Sequence, residues 1–223
     1  MTSAWRSSVS LVEETAALIR ERVFAGRYKP GDRLTQAGLS AELGLSRTPL
    51  REALRLLEQD GIVVLDSAGS ASVATATPAQ LQDAYAFREA LETAACRLAC
   101  PRLTPGTLAE LDRLVDEQRR AAGPRFHQLV SRFHQLVSRF HAVLLEASGN
   151  SHLQKHLSLV RMAEEVFRPG YGLTAEAALD TVGAHAAVVN CLRQHAAEEA
   201  EQHIRTYLAH QLEIMMQQER QPQ

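Results

Sequence analysis

Aromatic residues are scarce, at 5% of the chain. With Ala and Leu dominant, that shortage leans the chain towards helix. No apolar run approaches the ~20 residues that span a bilayer, so a membrane helix is excluded. The first residues, Met1-Thr2-Ser3-Ala4-Trp5-Arg6, lack the apolar core of a signal peptide. Cytoplasmic residence is the expectation that follows. Cysteine is also sparse: Cys96, Cys100 and Cys191 form an odd set without a second CxxC-like pair. Two thiols on one helix face make a poor zinc site, so buried, reduced cysteines are expected. An excess of basic charge is missing as well, since the formal net charge is −2. The whole-domain footprint of a nucleic-acid binder is therefore absent. After Ala74 no alternating strand pattern occurs.

What the chain does have is a marked helix between Gly44 and Gly61. Ser46 suits an N-cap, with a hydroxyl able to accept from an N–H of the first turn. Pro49 falls in that first turn, where a missing N–H costs little. Gly61 permits the left-handed residue that ends the helix. Leu50, Ala53, Leu54 and Leu57 repeat at spacings of three and four and form an apolar stripe. Arg47, Arg51 and Arg55 repeat every four residues and form a basic stripe. Three arginines against one glutamate between Gly44 and Leu57 concentrate locally the charge that the whole chain lacks. Such a helix suits the DNA major groove.

A short helix from about Gln36 to Leu43 precedes it, and Gly44-Leu45 makes the turn. That order is the helix-turn-helix pattern. Ile62 to Leu65, Asp66 to Ser70 and Ala71 to Ala74 read as strand, turn, strand: a wing. Val9 to Ala25 carries the first helix, and residues 1–8 read as a loose arm. Three segments resemble the N-terminal domain of GntR-family transcription regulators. They are Tyr28-Lys29-Pro30-Gly31-Asp32-Arg33-Leu34, Leu43-Gly44-Leu45-Ser46-Arg47-Thr48-Pro49-Leu50-Arg51-Glu52-Ala53-Leu54 and Leu57-Glu58-Gln59-Asp60-Gly61. The resemblance implies DNA contacts from Ser46, Arg47, Thr48, Arg51 and Arg55, and from the wing tip at Gly69 and Ser70. The family's wing usually bears a basic residue followed by glycine, where this chain has Gly69 and Ser70. Residue 37, arginine in some relatives, is Ala37. Both departures imply fewer phosphate contacts.

Beyond Thr77-Pro78 the pattern is helical to the end. Helices are expected over about 77–100, 104–121, 125–147, 151–167, 174–194 and 197–217. The chain therefore reads as mainly α: a winged helix-turn-helix over residues 1–76, then an all-helical bundle of about six helices over 77–223. Within the bundle Arg125 to Ser131 recurs letter for letter as Arg132 to Ser138, and Arg139-Phe140-His141 begins a third copy. A heptad is two helical turns, so Phe126, Phe133 and Phe140 stay near one face, with a drift of ~20° per repeat. A duplication that lengthened the helix without breaking its amphipathicity is the expected origin of the repeat. A metal-binding ladder of His127, His134 and His141 is the other reading, opposed by a spacing of roughly 10 Å along the axis for histidines seven apart.

Arg88-Glu89-Ala90-Leu91-Glu92, Phe140 to Asn150, and His185 followed by Ala200 resemble the FCD effector domain of the FadR-like subfamily. Many such domains hold a divalent metal through one Asp and three His. Mapped residue by residue, the Asp position is Val137, and the histidine positions are His141, His185 and Tyr207. His141 and His185 remain as an incomplete set for Zn, Ni or Mn, and His203, one turn before Tyr207, is the candidate replacement. Histidines lining a metal-free pocket are the alternative. Arg88, His141, His185, His203 and Tyr207 are then candidates to receive a small organic acid, with Arg88 offering a bidentate fork. For Arg88 a plain intrahelical pair with Glu92 is the other reading.

The combined reading is a transcription regulator and not an enzyme. It is expected to bind a pseudo-palindromic double-stranded operator as a homodimer, under control of an organic acid. Two other classes stay open at this point, a metal-dependent enzyme and a scaffold that has lost DNA binding. Turnover of a ligand would mark the first; failure to bind any operator would mark the second.

Overall fold

In a computed structural model, residues 2–67, 70–167 and 173–219 are described. The chain folds as two compact units, residues 1–75 and 76–223.

The first unit contains α1 (Thr2–Phe24), β1 (Arg33–Leu34), α2 (Gln36–Leu43), α3 (Arg47–Gln59), β2 (Val63–Leu65) and β3 (Ala71–Val73). Helix α1 starts at Thr2, where a loose arm was the expectation. No Pro or Gly interrupts Thr2 to Phe24, so nothing local stops the helix from extending. The cap of α2 is Thr35 Oγ1, which accepts from Gly38 N at 3.1 Å. Gly44 ends α2 at φ +67, a conformation costly for a side chain with a Cβ. Ser40 Oγ donates to Leu45 O at 2.6 Å and pins the turn into α3. Leu50, Ala53, Leu54 and Leu57 are all buried, and α3 packs on α1 and α2 through that stripe. Burying each leucine contributes about 1.5–3 kcal/mol, so the stripe fixes the rotation of α3. The basic stripe is thereby left outward. The strands pair antiparallel in the order β1-β3-β2, with Arg33 opposite Ser72 and Val64 opposite Ser72 on the other side.

The second unit contains α4 (Pro78–Ala99), α5 (Pro105–Ala121), α6 (Phe126–Ala147), α7 (Ser151–Gln154), α8 (Leu157–Arg161), α9 (Ala175–Arg193) and α10 (Ala197–Glu219). Thr77 and Gln80 form a reciprocal capping box on α4. Helices α4, α6, α5, α9 and α10 pack in that order, and α10 returns to α4, which closes a ring around one core. Phe126, Phe133 and Phe140 all face that core, so the duplicated heptad keeps its apolar face.

The helix expected over 151–167 is broken. It becomes α7, then α8, then a π-helical turn at Met162–Phe167. His156 has φ −96 and ψ 11, which separates the first two pieces. Val160, Met162, Ala163, Glu164 and Val166 are all buried. No single 3.6-residue face holds that set, and the wider π turn brings them inward together.

Candidate functional site

Two sites were predicted from sequence, one in each unit. In the first, Ser46, Arg47, Thr48, Arg51 and Arg55 are all exposed on α3. Ser46 occupies the N-cap position in extended geometry, yet its side chain makes no capping bond. This corrects the sequence reading, and Pro49 supplies the reason. It stands third in the helix and has no N–H, so one of the two donors that an N-cap side chain takes is missing. The hydroxyl stays available to a ligand at the helix N-terminus. Arg51 Nε lies 3.3 Å from Glu52 Oε1, and Arg55 Nη1 lies 3.2 Å from the same oxygen. Exposed pairs of this kind contribute little and exchange readily for a phosphate. Arg47 has no ion-pair partner among the described residues.

The wing departs from expectation at Ser70. Its backbone N–H, the group with which a wing tip can meet a phosphate, is taken by Asp66 Oδ1 at 2.8 Å. Gly69 lies outside the described residues. A residue that the sequence reading left unassigned stands beside the wing instead. Arg33 Nη2 donates to Ser70 Oγ at 3.2 Å and lies 3.7 Å from Asp66 Oδ2, with its side chain 68% exposed. The sequence reading placed no strand at Arg33–Leu34, and the β1–β3 pairing that carries Arg33 to the wing joins residues far apart in the chain.

The second site lies inside the helical ring. Arg88 is fully buried, with Nε 2.7 Å from Glu92 Oε1 and Nη1 2.7 Å from Glu164 Oε1. Its guanidinium also covers the Tyr85 ring at 4.9 Å. His141 Nδ1 lies 2.5 Å from the second Glu92 oxygen. His185 Nδ1 lies 2.8 Å from Gln118 Oε1. His141 and His185 face each other edge-on at 5.0 Å, and Tyr207 lies within 5.4 Å of both rings. Phe140 stacks on His185 at 4.0 Å. Arg88, His141, His185 and Tyr207 are thus brought together. His203 is not: it is exposed on α10, whose buried stripe runs through Ala200, Ile204, Tyr207, Leu208 and Gln211. One helical turn keeps two residues on roughly one side, but 40° of rotation takes His203 off the stripe. Glu164 and Gln118 were missed from sequence. The only signal was an acidic pair, Glu164-Glu165, inside a run of apolar residues.

Burial alone would depress the Arg88 guanidinium, but Glu92 and Glu164 hold it well above its ordinary value. Burial alone would raise Glu92, but Arg88 and His141 hold it below its ordinary 4.5. The unfolded chain therefore takes up that proton first as acid is added. Stability tied to Glu92 is fully present above 4.5 and is lost as the pH falls towards the folded value. Urea titrations at about pH 7 and about pH 3.5 check this. Wild type should lose more stability between them than Glu92→Gln, and equal losses would contradict the pairing.

The residues present do not fit a bound metal. His141 and His185 each engage one nitrogen with a side chain of the core, Val137 offers no lone pair, and Arg88 already supplies the cation beside Glu92. Among the described residues no three His, Cys, Asp or Glu side chains are placed to share an ion. The histidines of the repeat do not form a ladder either, since His127 is exposed while His134 and His141 are buried. Cys96 and Cys100 are buried and free, and burial pushes both thiols up, away from the thiolate that a metal takes. Among the described residues no helix is long and apolar enough to cross a membrane.

Comparison with known proteins gives two family matches. The model for bacterial regulatory proteins of the gntR family matches residues 11–73, and the FCD domain matches residues 83–210. An uncharacterized HTH-type transcriptional regulator of Bacillus subtilis, YdhC, is 32% identical over 46% of this chain and 46% of its own. The HTH-type transcriptional regulator McbR of Escherichia coli is 34% identical over 51% of each chain. These matches span about half the length of the curated relatives. The solved structure of E. coli McbR/YncC aligns over 94% of this chain and 98% of its own, with a TM-score of 0.78 and 23% identity. A GntR regulator from Rhodococcus aligns over 93% and 98%, with a TM-score of 0.75 and 21% identity. At those identities the likeness speaks for the fold.

Proposed function

Because the chain belongs to the gntR family of bacterial regulatory proteins, transcription regulators and not enzymes, and carries an FCD domain behind its winged helix-turn-helix, we propose that it binds operator DNA under the control of a small organic acid. The observation that carries this reading is α3. One of its faces is buried against α1 and α2, and the other presents Arg47, Arg51 and Arg55 to solvent. Phosphate contacts from Ser46 and Thr48 set the register, and the arginines read guanine edges. Residues 1–76 act as the reading head, and residues 77–223 hold the effector and the dimer contact. One recognition helix reads only a few base pairs, so a homodimer on a pseudo-palindromic double-stranded site follows. Such a regulator works in the cytoplasm.

The organic acid is supported by Arg88. Its Nη2 and the Nε2 of His141 have no hydrogen-bond partner among the described residues, although both are buried. A carboxylate is the ligand that a guanidinium edge recognises best. Occupancy would bias the separation of two reading heads by differential affinity for two states.

Selection of random double-stranded DNA by the purified chain tests the reading. An enriched sequence with two-fold symmetry, protected by two chains per site in sedimentation, is the expected result. No enrichment above random DNA would sink it. Arg33 gives a narrower prediction. If it supplies the phosphate contact that the wing tip lacks, Arg33→Ala weakens all sequences alike and flattens the dependence of log Kd on log salt by about one. An unchanged slope would remove Arg33 from the interface.

A further inference from the structure

Glu164 reaches Arg88 from far along the chain. Arg88 and Glu92 stand one turn apart on α4 and already pair. Glu164 arrives from the π-helical turn, 76 residues away in sequence, and takes Arg88 Nη1 at 2.7 Å. The end of a guanidinium offers two parallel donors, Nη1 and Nη2. Glu164 engages Nη1, and Nη2 is left without a partner among the described residues. A free carboxylate can take both in the bidentate geometry that strengthens such pairs. Glu164 therefore occupies a carboxylate subsite without using all of it.

We propose that Glu164 is an intramolecular stand-in for the ligand: an organic acid enters carboxylate-first, takes Nη1 and Nη2 of Arg88, and displaces Glu164 with the π-helical turn that carries it. This rests on the reading of the bundle as an organic-acid site. Donor geometry and charge together decide the chemical class. Arg88, Glu92 and Glu164 are fully buried, and an unmatched charge at that depth is strongly destabilising. Exchange of one carboxylate for another leaves the charge around Arg88 unchanged. A neutral head cannot offer the two anionic oxygens that match Nη1 and Nη2 together, so a monocarboxylate head is selected. The moving part has the right character, because π-helical geometry is rare and concentrates at functional turns. The exchange converts occupancy of the subsite into a displacement of residues 162–167.

Acetate is the probe. Glu164→Ala removes the side chain beyond Cβ, which has the size and charge of one acetate ion. Thermal unfolding of the full chain is followed in sodium acetate and in sodium chloride of equal ionic strength. In Glu164→Ala, acetate at ten times its Kd should raise Tm by about 3–6 °C over chloride. Wild type and Glu164→Gln, whose side chains must first be displaced, should show a clearly smaller rise at the same acetate concentration. A failure of acetate to raise Tm in Glu164→Ala, or an equal rise in all three proteins, overturns the proposal. If Glu164→Ala is insoluble, it is refolded in each salt. Folded protein recovered in acetate alone supports the stand-in, and the absence of a difference overturns it. Operator selection by wild type is read separately, so failure of the rescue leaves the DNA-binding reading standing, and failure of the selection does not touch the rescue.

Discussion

Arg88→Met should cost the bundle about 3–5 kcal/mol. The variant roughly keeps the volume of the side chain and removes the cation that pairs with both Glu92 and Glu164, which are fully buried. Methionine cannot donate a hydrogen bond, so two carboxylates are left facing each other in a medium that solvates them poorly. Urea unfolding read by far-UV circular dichroism measures the loss. The triple variant Arg88→Met, Glu92→Gln, Glu164→Gln should recover most of it, because replacing a whole buried ion cluster is far less costly than breaking it. A loss below about 1 kcal/mol in the single variant would mean that water reaches the cluster and that Arg88 is not enclosed as described. Glu164→Gln alone, measured in the same way, separates the two readings of Arg88 that the sequence left open. An intrahelical pair with Glu92 alone would tolerate Glu164→Gln, whereas the three-membered cluster would not.

Arg51→Ala should weaken binding to the selected operator by about 1–3 kcal/mol, roughly 5- to 150-fold in Kd. The fold should be unaffected. Arg51 is exposed, and its ion pair with Glu52 at 3.3 Å is of the kind that contributes little. Alanine also has the higher helix propensity, so α3 gains a few tenths of a kcal/mol at most. The loss can therefore be assigned to DNA. If Arg51→Ala binds as tightly as wild type at matched salt, α3 is not the reading helix. A uniform loss over all sequences would instead make Arg51 a phosphate clamp.

The sequence alone determined the reading head, because everything that specifies α3 is local. Its proline, its two stripes and the Gly61 that ends it lie within Gly44 to Gly61, and helical periodicity converts that order directly into an inward and an outward face. The same holds for the starts of α4 and α5, where Thr77-Pro78 and Thr104-Pro105 state cap and first turn in adjacent residues. The duplicated heptad was legible as one amphipathic helix for the same reason. Tertiary structure decided what depends on partners distant in the chain. Arg33 gains its place at the wing from strand pairing with β3, and Glu164 gains its role from a side chain 76 residues earlier. Periodicity put His203 beside Tyr207, and the packing of α10 against α4 and α9 turned it to solvent. The break of the fourth bundle helix was likewise not in its residues. Val160, Met162, Ala163, Glu164 and Val166 are buried without sharing one helical face, so packing against α6 and the reach of Glu164 to Arg88, and not the segment's own pattern, favour the π-helical turn.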